Sequence, residues 1–214
     1  TLAQASESLV SATLDGISTP LVAGASANGN GSGAASDLHE QLNMVARMIA
    51  GRDSTQVGRQ IFFCSMGGFD SHGSLTSSHP DLLQDLGDAM LSFQNAIDAL
   101  GAADRVTTFT ASDFGRALTT NGRGSDHGWG GHHFVMGNAV KPYSWAGALP
   151  SFEIGGSDDA GQGRLIPQVS VDQYAAAMAR WMGASVSQLS EVAPRIGNFD
   201  DITLDIFSPE TIPA

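Results

Sequence analysis

Three of the six histidines in this 214-residue chain lie within seven positions of one another, in a glycine-rich stretch that also contains Asp126. They are His127, His132 and His133. Histidine nitrogens and aspartate oxygens are the usual ligands of borderline and hard metal ions, and glycines let a backbone turn tightly around a site. Because adjacent extended residues point to opposite faces, we do not expect His132 and His133 to bind one ion. His127, with Gly128 beside it, is the best ligand candidate of the three, and Asp126 is interpreted as shaping the turn.

Two earlier segments place similar side chains after apolar runs that predict buried strands. Asp70 and His72 follow the run 60–66, and Asp113 follows the run 106–111 at the same relative position. Sites in parallel α/β sheets form at the carboxyl ends of strands, so the three loops predict one metal site. The alternatives are that Asp70 only shapes its loop, that His72 is an ordinary surface residue, and that Asp113 caps a following helix.

Arg116 is a candidate for binding an anionic substrate group, since its guanidinium is a planar fork of donors. It could equally pair with Asp113. The sequence contains no nucleophile elbow, phosphate-binding loop or dinucleotide fingerprint, and no catalytic residue is assigned. Cys64 lies within the first apolar run and is interpreted as strand core, not as a reactive thiol.

Charge and composition exclude several classes of function. The net charge is -12, from 22 acidic and 10 basic side chains, so the surface repels nucleic-acid phosphates. The apolar runs are too short to cross a bilayer. An acidic chain with Lys141 as its single lysine is typical of exported or salt-adapted proteins. The first of these alternatives predicts a periplasmic or extracellular location. The chain begins at Thr1, so we expect a processed product or a fragment.

The order of elements predicts an α/β fold with a mainly parallel sheet and flanking helices. A strand, a helix and a second strand in succession are typical of a right-handed parallel crossover. Residues 1–36 are predicted to be poorly ordered or linker-like, and residues 37–214 to form the α/β domain. The predicted strands are 60–66, 106–111, 134–137 and 205–207. The predicted helices are 37–51, 80–101, 171–182 and 186–192, and 119–131 is predicted as a loop.

Three motifs in order make the chain recognisable. They are Gly67-Gly-Phe-Asp-Ser-His72, Ser112-Asp-Phe-Gly-Arg116 and Ser125-Asp-His-Gly-Trp-Gly130. With them, residues 37–183 resemble a bacterial family catalogued only as domain of unknown function 1501, which is placed in the alkaline-phosphatase and sulfatase superfamily. The resemblance implies an alkaline-phosphatase-like α/β fold of which this chain is the C-terminal half, and a protein that is commonly exported.

The resemblance also implies a function and a set of site residues. Superfamily members hydrolyse phosphate or sulfate esters, so the implied substrate is a small anionic ester. Asp70, His72, Asp113 and His127 match the positions of metal ligands. The implied cofactor is a divalent metal ion, with zinc the first choice and manganese or calcium as alternatives.

The chain departs from the superfamily pattern in two ways. Phe114 stands where many superfamily enzymes have a histidine ligand, and an aromatic hydrocarbon cannot bind metal. The nucleophile belongs to the N-terminal half of the superfamily fold, so we expect a missing N-terminal half of the same precursor to supply it. Two hypotheses follow: a metal-binding hydrolase-like protein, or a non-catalytic exported structural or binding protein on the same scaffold.

Overall fold

A computed structural model of the chain describes residues 33–55, 58–202 and 204–211. It divides into two compact units, Thr1–Val106 and Thr107–Ala214. The predicted linker-like segment therefore falls mostly outside the described residues. Helices and strands both occur, but every strand pair of the described residues is antiparallel. The mixed α and β content is confirmed, and the predicted parallel sheet is not.

Two long helices build the core of the first unit. Helix α1 spans Gly33–Ala50, α2 is the short turn Arg52–Thr55, and α3 spans Leu75–Ala99. The apolar residues of α1 recur every three or four positions and are buried against those of α3, which stabilises the pair by roughly 1.5–3 kcal/mol for each large side chain. The main members are Leu38, Leu42, Val45, Ile49, Phe93 and Ile97.

Both helices begin earlier than the sequence predicts. Helix α1 begins at Gly33, ahead of the predicted cap at residues 36–37, and ends as predicted where Gly51 donates its amide to the Arg47 carbonyl at 3.0 Å. Helix α3 begins at Leu75, so Pro80 lies inside it and not in its first turn. The turn before Pro80 is held by the amides of Ser77 and Ser78, which both donate to the Ser74 carbonyl.

The predicted strand 60–66 is not assigned as a strand and pairs with no strand among the described residues. Its side chains alternate between two environments, as in a half-buried strand. Ile61 and Phe63 are 81% and 91% exposed. The side chains that pack on the core of the first unit are Phe62, Cys64 and Met66. Burial of Cys64 raises the pKa of its thiol, as expected for a structural cysteine.

In the second unit, two predicted strands pair with each other. Strand β1, Thr108–Phe109, lies in the predicted run 106–111, and β4, Val135–Met136, lies in the predicted run 134–137. They form an antiparallel pair in which Phe109 is opposite Val135. The positions of these two strands were predicted correctly, whereas their direction of pairing was not.

A β-hairpin occupies most of the region predicted as a glycine-rich loop. Strand β2, Gly115–Thr120, pairs antiparallel with β3, Ser125–Gly128. The turn between them is closed by Asn121, whose Oδ1 accepts the amides of Arg123 at 3.1 Å and Gly124 at 2.9 Å. An Asn-Gly dipeptide between two short strands is a strong hairpin signal, which the loop prediction for 119–131 overlooked.

Close backbone approach fixes the hairpin against its surroundings. A Cβ atom on Gly115 would lie 1.5 Å from the carbonyl oxygen of Gly130, and one on Gly128 would lie 2.8 Å from the carbonyl carbon of Arg116. On the other side, the Leu118 amide donates to the Gly163 carbonyl at 2.9 Å. Glycine is required at positions 115 and 128 because no side chain fits between the backbones there.

The remaining helices follow the predicted pattern. Helix α4 spans Val171–Trp181 and begins with a capping box, in which Ser170 and Gln173 each bind the other's backbone amide. Helix α5, Leu189–Val192, follows a short 3₁₀ turn and lies in the predicted helix 186–192. The predicted strand 205–207 is reduced to a single antiparallel bridge between Phe207 and Val140.

We expect Gly115→Ala to lower the free energy of unfolding of the second unit by about 3 kcal/mol or more, because the new methyl group forces two backbones apart. The measurement is urea unfolding followed by tryptophan fluorescence, since all three tryptophans lie in that unit. The matched control is Gly197→Ala, where a Cβ meets open space and the change should stay within about 1 kcal/mol. Equal losses in the two variants would contradict the packing argument.

Candidate metal centre

The loop that carries Asp70 and His72 is tied to the first unit at both ends. It leaves the segment 60–66 through Gly68, which adopts φ +96, a conformation that favours glycine. The amide of Ser71 donates to the Phe69 carbonyl at 2.9 Å and closes a tight turn.

An aromatic contact adds a second anchor for this loop. The ring of Phe69 meets the ring of His79, on α3, edge to face with centroids 5.9 Å apart. This contact fixes Phe69, and with it the loop that carries Asp70 and His72, near the start of α3.

Asp70 and His72 come together at the exposed side of this loop. Nε2 of His72 lies 3.1 Å from Oδ1 of Asp70, and the two side chains are 53% and 62% exposed. Two ligand atoms bound about 2.0–2.1 Å from one tetrahedral ion are about 3.3 Å apart, so the separation of the pair is close to that of two ligands of one ion. The same separation also suits a hydrogen bond between imidazole and carboxylate.

His127 lies on β3 of the second unit, directly opposite Arg116 in the hairpin register. Its imidazole stacks on the ring of Phe114, with centroids 4.2 Å apart and planes inclined by 11°. The side chain of His127 is exposed. A stacked ring has little rotational freedom, so Phe114 limits the directions in which the His127 nitrogens can point.

Arg116 contacts the same aromatic ring. Its guanidinium carbon lies 5.3 Å from the centroid of Phe114, and its Nη1 donates to the Ser125 carbonyl at 2.9 Å. Arg116, Phe114 and His127 form what we call the hairpin stack. The importance of Phe114 was missed by sequence reasoning, which treated it only as a lost ligand. The missing information was the hairpin itself, which brings the three side chains together.

Asp113 lies in a bend immediately before β2, with an exposed carboxylate. The bend is shaped by Ser112, whose hydroxyl donates to the Phe114 carbonyl at 3.0 Å. Because a strand and not a helix follows, the alternative in which Asp113 caps a helix is wrong.

Asp126 has the predicted role in the turn of the hairpin. Its Oδ1 accepts a hydrogen bond from the Asn121 side-chain amide at 3.0 Å. Asn121 also binds two backbone amides of the turn, so Asp126 is part of the network that holds β2 and β3 together. This hydrogen bond gives Asp126 a structural role next to His127, without a role as a metal ligand.

His132 and His133 contact different aromatic rings, in agreement with the expectation that they point apart. His132 lies 5.8 Å from Trp145, and His133 stacks on Tyr174 with centroids 5.7 Å apart. Tyr174 in turn donates its hydroxyl to the Thr110 carbonyl at 3.2 Å, and burial raises the pKa of its phenol. These contacts join β1 and α4 and give His133 a packing role.

Comparison with known proteins identifies a family but no function. The family described as "Protein of unknown function (DUF1501)" matches residues 22–191, which is most of the chain. No curated protein matches, and no solved structure matches. Among the described residues, no helix has both the length and the apolar character needed to cross a membrane.

The second unit should lose stability in mild acid through His133. Burial, and next the charge of His132, lower the pKa of His133 from 6.5. The unfolded state therefore binds a proton more readily, and the contribution of neutral His133 is present above pH 6.5 and lost as the pH falls through the lowered pKa. We expect the urea midpoint of tryptophan fluorescence to fall in this window.

The variant His133→Phe, which keeps a ring on Tyr174, should flatten this pH dependence. The control His79→Phe changes a histidine of the first unit and should leave the profile of the second unit as it is. A profile that His133→Phe does not change would show that another group is responsible.

Proposed function

We propose that this chain, which belongs to the DUF1501 family, binds a divalent metal ion through Asp70 and His72. The observation that carries the proposal is the 3.1 Å separation of His72 Nε2 and Asp70 Oδ1 on an exposed loop. An imidazole nitrogen and a carboxylate oxygen at that separation suit one coordination sphere. An aspartate and a histidine two positions apart in one tight turn need no other element to bring them together.

Asp113 and His127 of the second unit are proposed as further ligands of the same ion. Their support is the order of the three motifs in the sequence, together with the exposed positions of both side chains. Zinc is the first choice, because imidazole and carboxylate ligands together suit it, and manganese or calcium remain alternatives. The wider alkaline-phosphatase and sulfatase placement of the family is part of this proposal.

The proposed activity is hydrolysis of a small phosphate or sulfate ester. When bound, a divalent ion would polarise an ester oxygen as a Lewis acid. Arg116 is proposed to bind the anionic group of the substrate. Its contacts with Ser125 and Phe114 hold the guanidinium in one orientation, which lowers the entropy lost on binding. The nucleophile is proposed to come from a preceding half of the same precursor, and the protein to act in the periplasm or outside the cell.

A second candidate function is a non-catalytic exported binding or structural protein. Phe114, which follows Asp113, favours this function because its aromatic ring contacts His127 and Arg116. A stack of this kind can stabilise the hairpin, and that structural role requires no catalytic activity. The two candidates differ in whether metal binding is accompanied by turnover.

Replacing a ligand should weaken metal binding far more than replacing a neighbour. We expect Asp70→Ala, His72→Ala and His127→Ala each to reduce zinc affinity by at least about 100-fold, since loss of a ligand exceeds the 10–100-fold effect of an outer-shell partner. Isothermal titration of chelator-treated protein gives the affinities. Matched controls are Asp81→Ala and His132→Ala, which should bind zinc like the unchanged chain.

The variant Asp113→Ala decides whether Asp113 belongs to the ligand set. Normal affinity in this variant alone would remove it and leave the other three. Normal zinc affinity in both Asp70→Ala and His72→Ala would contradict the metal proposal itself, and would assign the pair to a hydrogen bond.

Turnover separates the two candidate functions. We expect the chain joined to its preceding segment to hydrolyse an aryl phosphate or an aryl sulfate, with activity lost on chelation and restored by zinc. Arg116→Ala should raise KM more than it lowers kcat, because it removes a group that binds the ground state. Metal binding with no hydrolysis of either ester would favour the non-catalytic function. Hydrolysis by the chain alone would contradict the assignment of the nucleophile to a preceding segment.

A further inference from the structure

The turn of the β2–β3 hairpin contains a dipeptide that is chemically reactive. Within the described part of the chain, Asn121 is the one asparagine that is followed by a glycine. The carboxamide of an asparagine is open to attack by the backbone nitrogen of the next residue, and glycine hinders this attack least because it has no side chain. Asn121 and Gly122 are exposed, and a Cβ on Gly122 would meet open space. Water and solvent base therefore reach both reacting groups.

The folded turn holds both reacting groups in hydrogen bonds. The amide of Gly122 donates to Oγ1 of Thr120 at 3.0 Å. The carboxamide of Asn121 is held at both of its polar atoms, because Oδ1 accepts two backbone amides of the turn and Nδ2 donates to Asp126 at 3.0 Å. Ring closure requires the carboxamide and the next amide to rotate toward each other. The hairpin turn must therefore open locally before the reaction can occur.

One of these contacts, taken alone, would favour the reaction. The two amides that donate to Oδ1 of Asn121 withdraw charge from Cγ, the atom that is attacked. The same two bonds fix the direction of the carboxamide, and the attacking nitrogen of Gly122 is bonded to Thr120. A polarised Cγ does not react until the nitrogen is released, so release of the Gly122 amide controls the rate.

We propose that Asn121 is a site of spontaneous deamidation that the folded hairpin protects and the open hairpin makes reactive. The nitrogen of Gly122 loses its proton to solvent base and bonds to Cγ of Asn121. The bond from Cγ to Nδ2 breaks, and Nδ2 leaves as ammonia with a proton from water. Water then hydrolyses the succinimide ring at either of its carbonyl groups, which gives aspartate or isoaspartate. The net change is the uptake of a water molecule and the release of ammonia.

Either product weakens the turn in which it forms. An aspartate at position 121 has no amide to donate, and its carboxylate lies against that of Asp126 where a hydrogen bond was. Two like charges then replace an attractive contact. An isoaspartate carries the main chain through its side-chain carbon, which lengthens the turn by one backbone atom and displaces its amides from their acceptors. The modification therefore acts in one direction, because a modified hairpin opens more readily.

The turn also supports the register of the whole hairpin. Thr120 is opposite Ser125 beside the turn, and Arg116 is opposite His127 farther along the same pair of strands. A turn that no longer closes removes the constraint on this register, and the hairpin stack loses the arrangement that brings its side chains together. This consequence is the same whether the hairpin serves metal binding or only structure, so the inference does not depend on the proposed function.

Peptide mapping by mass spectrometry measures the protection. The whole chain is aged in mildly alkaline buffer, folded and in urea, and deamidation and isoaspartate are followed in the peptide that contains Asn121. We expect the reaction to be at least about tenfold slower in the folded chain, because it proceeds through the open turn. Equal rates in the two states would overturn the proposal.

The variant Thr120→Val tests whether release of the Gly122 amide controls the rate. It removes the acceptor of that amide and a second hydrogen bond within the turn, and it keeps the β-branched shape. We expect deamidation at Asn121 in the folded chain to be at least about fivefold faster, the usual effect of one hydrogen bond, and unchanged in urea.

The matched control is Thr119→Val. The hydroxyl of Thr119 donates to the Gln162 carbonyl at 2.6 Å, outside the turn, so this variant reports the effect of a general loss of hairpin stability. Its acceleration should be smaller than that of Thr120→Val. Equal acceleration in the two variants would show that release of the Gly122 amide is not the controlling step, against the proposal.

The variant Asn121→Asp tests the consequence of the modification. It reproduces the aspartate product, and we expect a lower urea midpoint of tryptophan fluorescence than in the unchanged chain, because a carboxylate now lies against Asp126. Asn198→Asp makes the same change of charge at an exposed position of the same unit and should keep the midpoint. The same midpoint in Asn121→Asp and the unchanged chain would contradict the claim that the product opens the hairpin.

Discussion

The fold of the second unit depends on the close approach of two backbone segments at the base of the β2–β3 hairpin. Gly115 and Gly128 are opposite each other in the register, and a side chain on either would collide with a backbone. That contact places Arg116 opposite His127. The hairpin stack follows from it, because Phe114 precedes Gly115 and its ring meets both side chains. The chemistry proposed for His127 thus rests on two positions that have no side chain.

Local sequence signals predicted the helices and the positions of several strands. The apolar periodicity of 38–49 and 82–97 identified α1 and α3, and the predicted helix 171–182 matches α4. These features depend on neighbours a few residues away, so the sequence contains the information directly.

Strand pairing was beyond the reach of the same reasoning. The direction in which β1 pairs is set by which distant segment lies beside it, and a parallel crossover and an antiparallel pair use the same apolar runs. The hairpin is a different case, because the dipeptide Asn121-Gly122 is a local signal that predicts a hairpin from the sequence alone.

The candidate site likewise contains contacts between residues close in sequence and contacts between residues far apart in sequence. Asp70 and His72 are two positions apart in one turn, so their proximity could be predicted from spacing alone. The stacking of His127 on Phe114 joins residues thirteen positions apart and requires the hairpin. Phe114 therefore has a role that the motif comparison did not provide: its ring orients the imidazole of His127, which is proposed as a ligand.

This double role bears on how many metal ions the loops can hold. The aromatic ring of Phe114 is stacked on His127 with centroids 4.2 Å apart, and it offers no ligand atom for an ion of its own. With Phe114 in that place, the ligands proposed from the second unit are Asp113 and His127. Two metals that clamp opposite oxygens of an ester each need several ligands. Under the proposed function, the residue types at these positions therefore fit a single ion, with Arg116 supplying positive charge that a second metal supplies in two-metal enzymes.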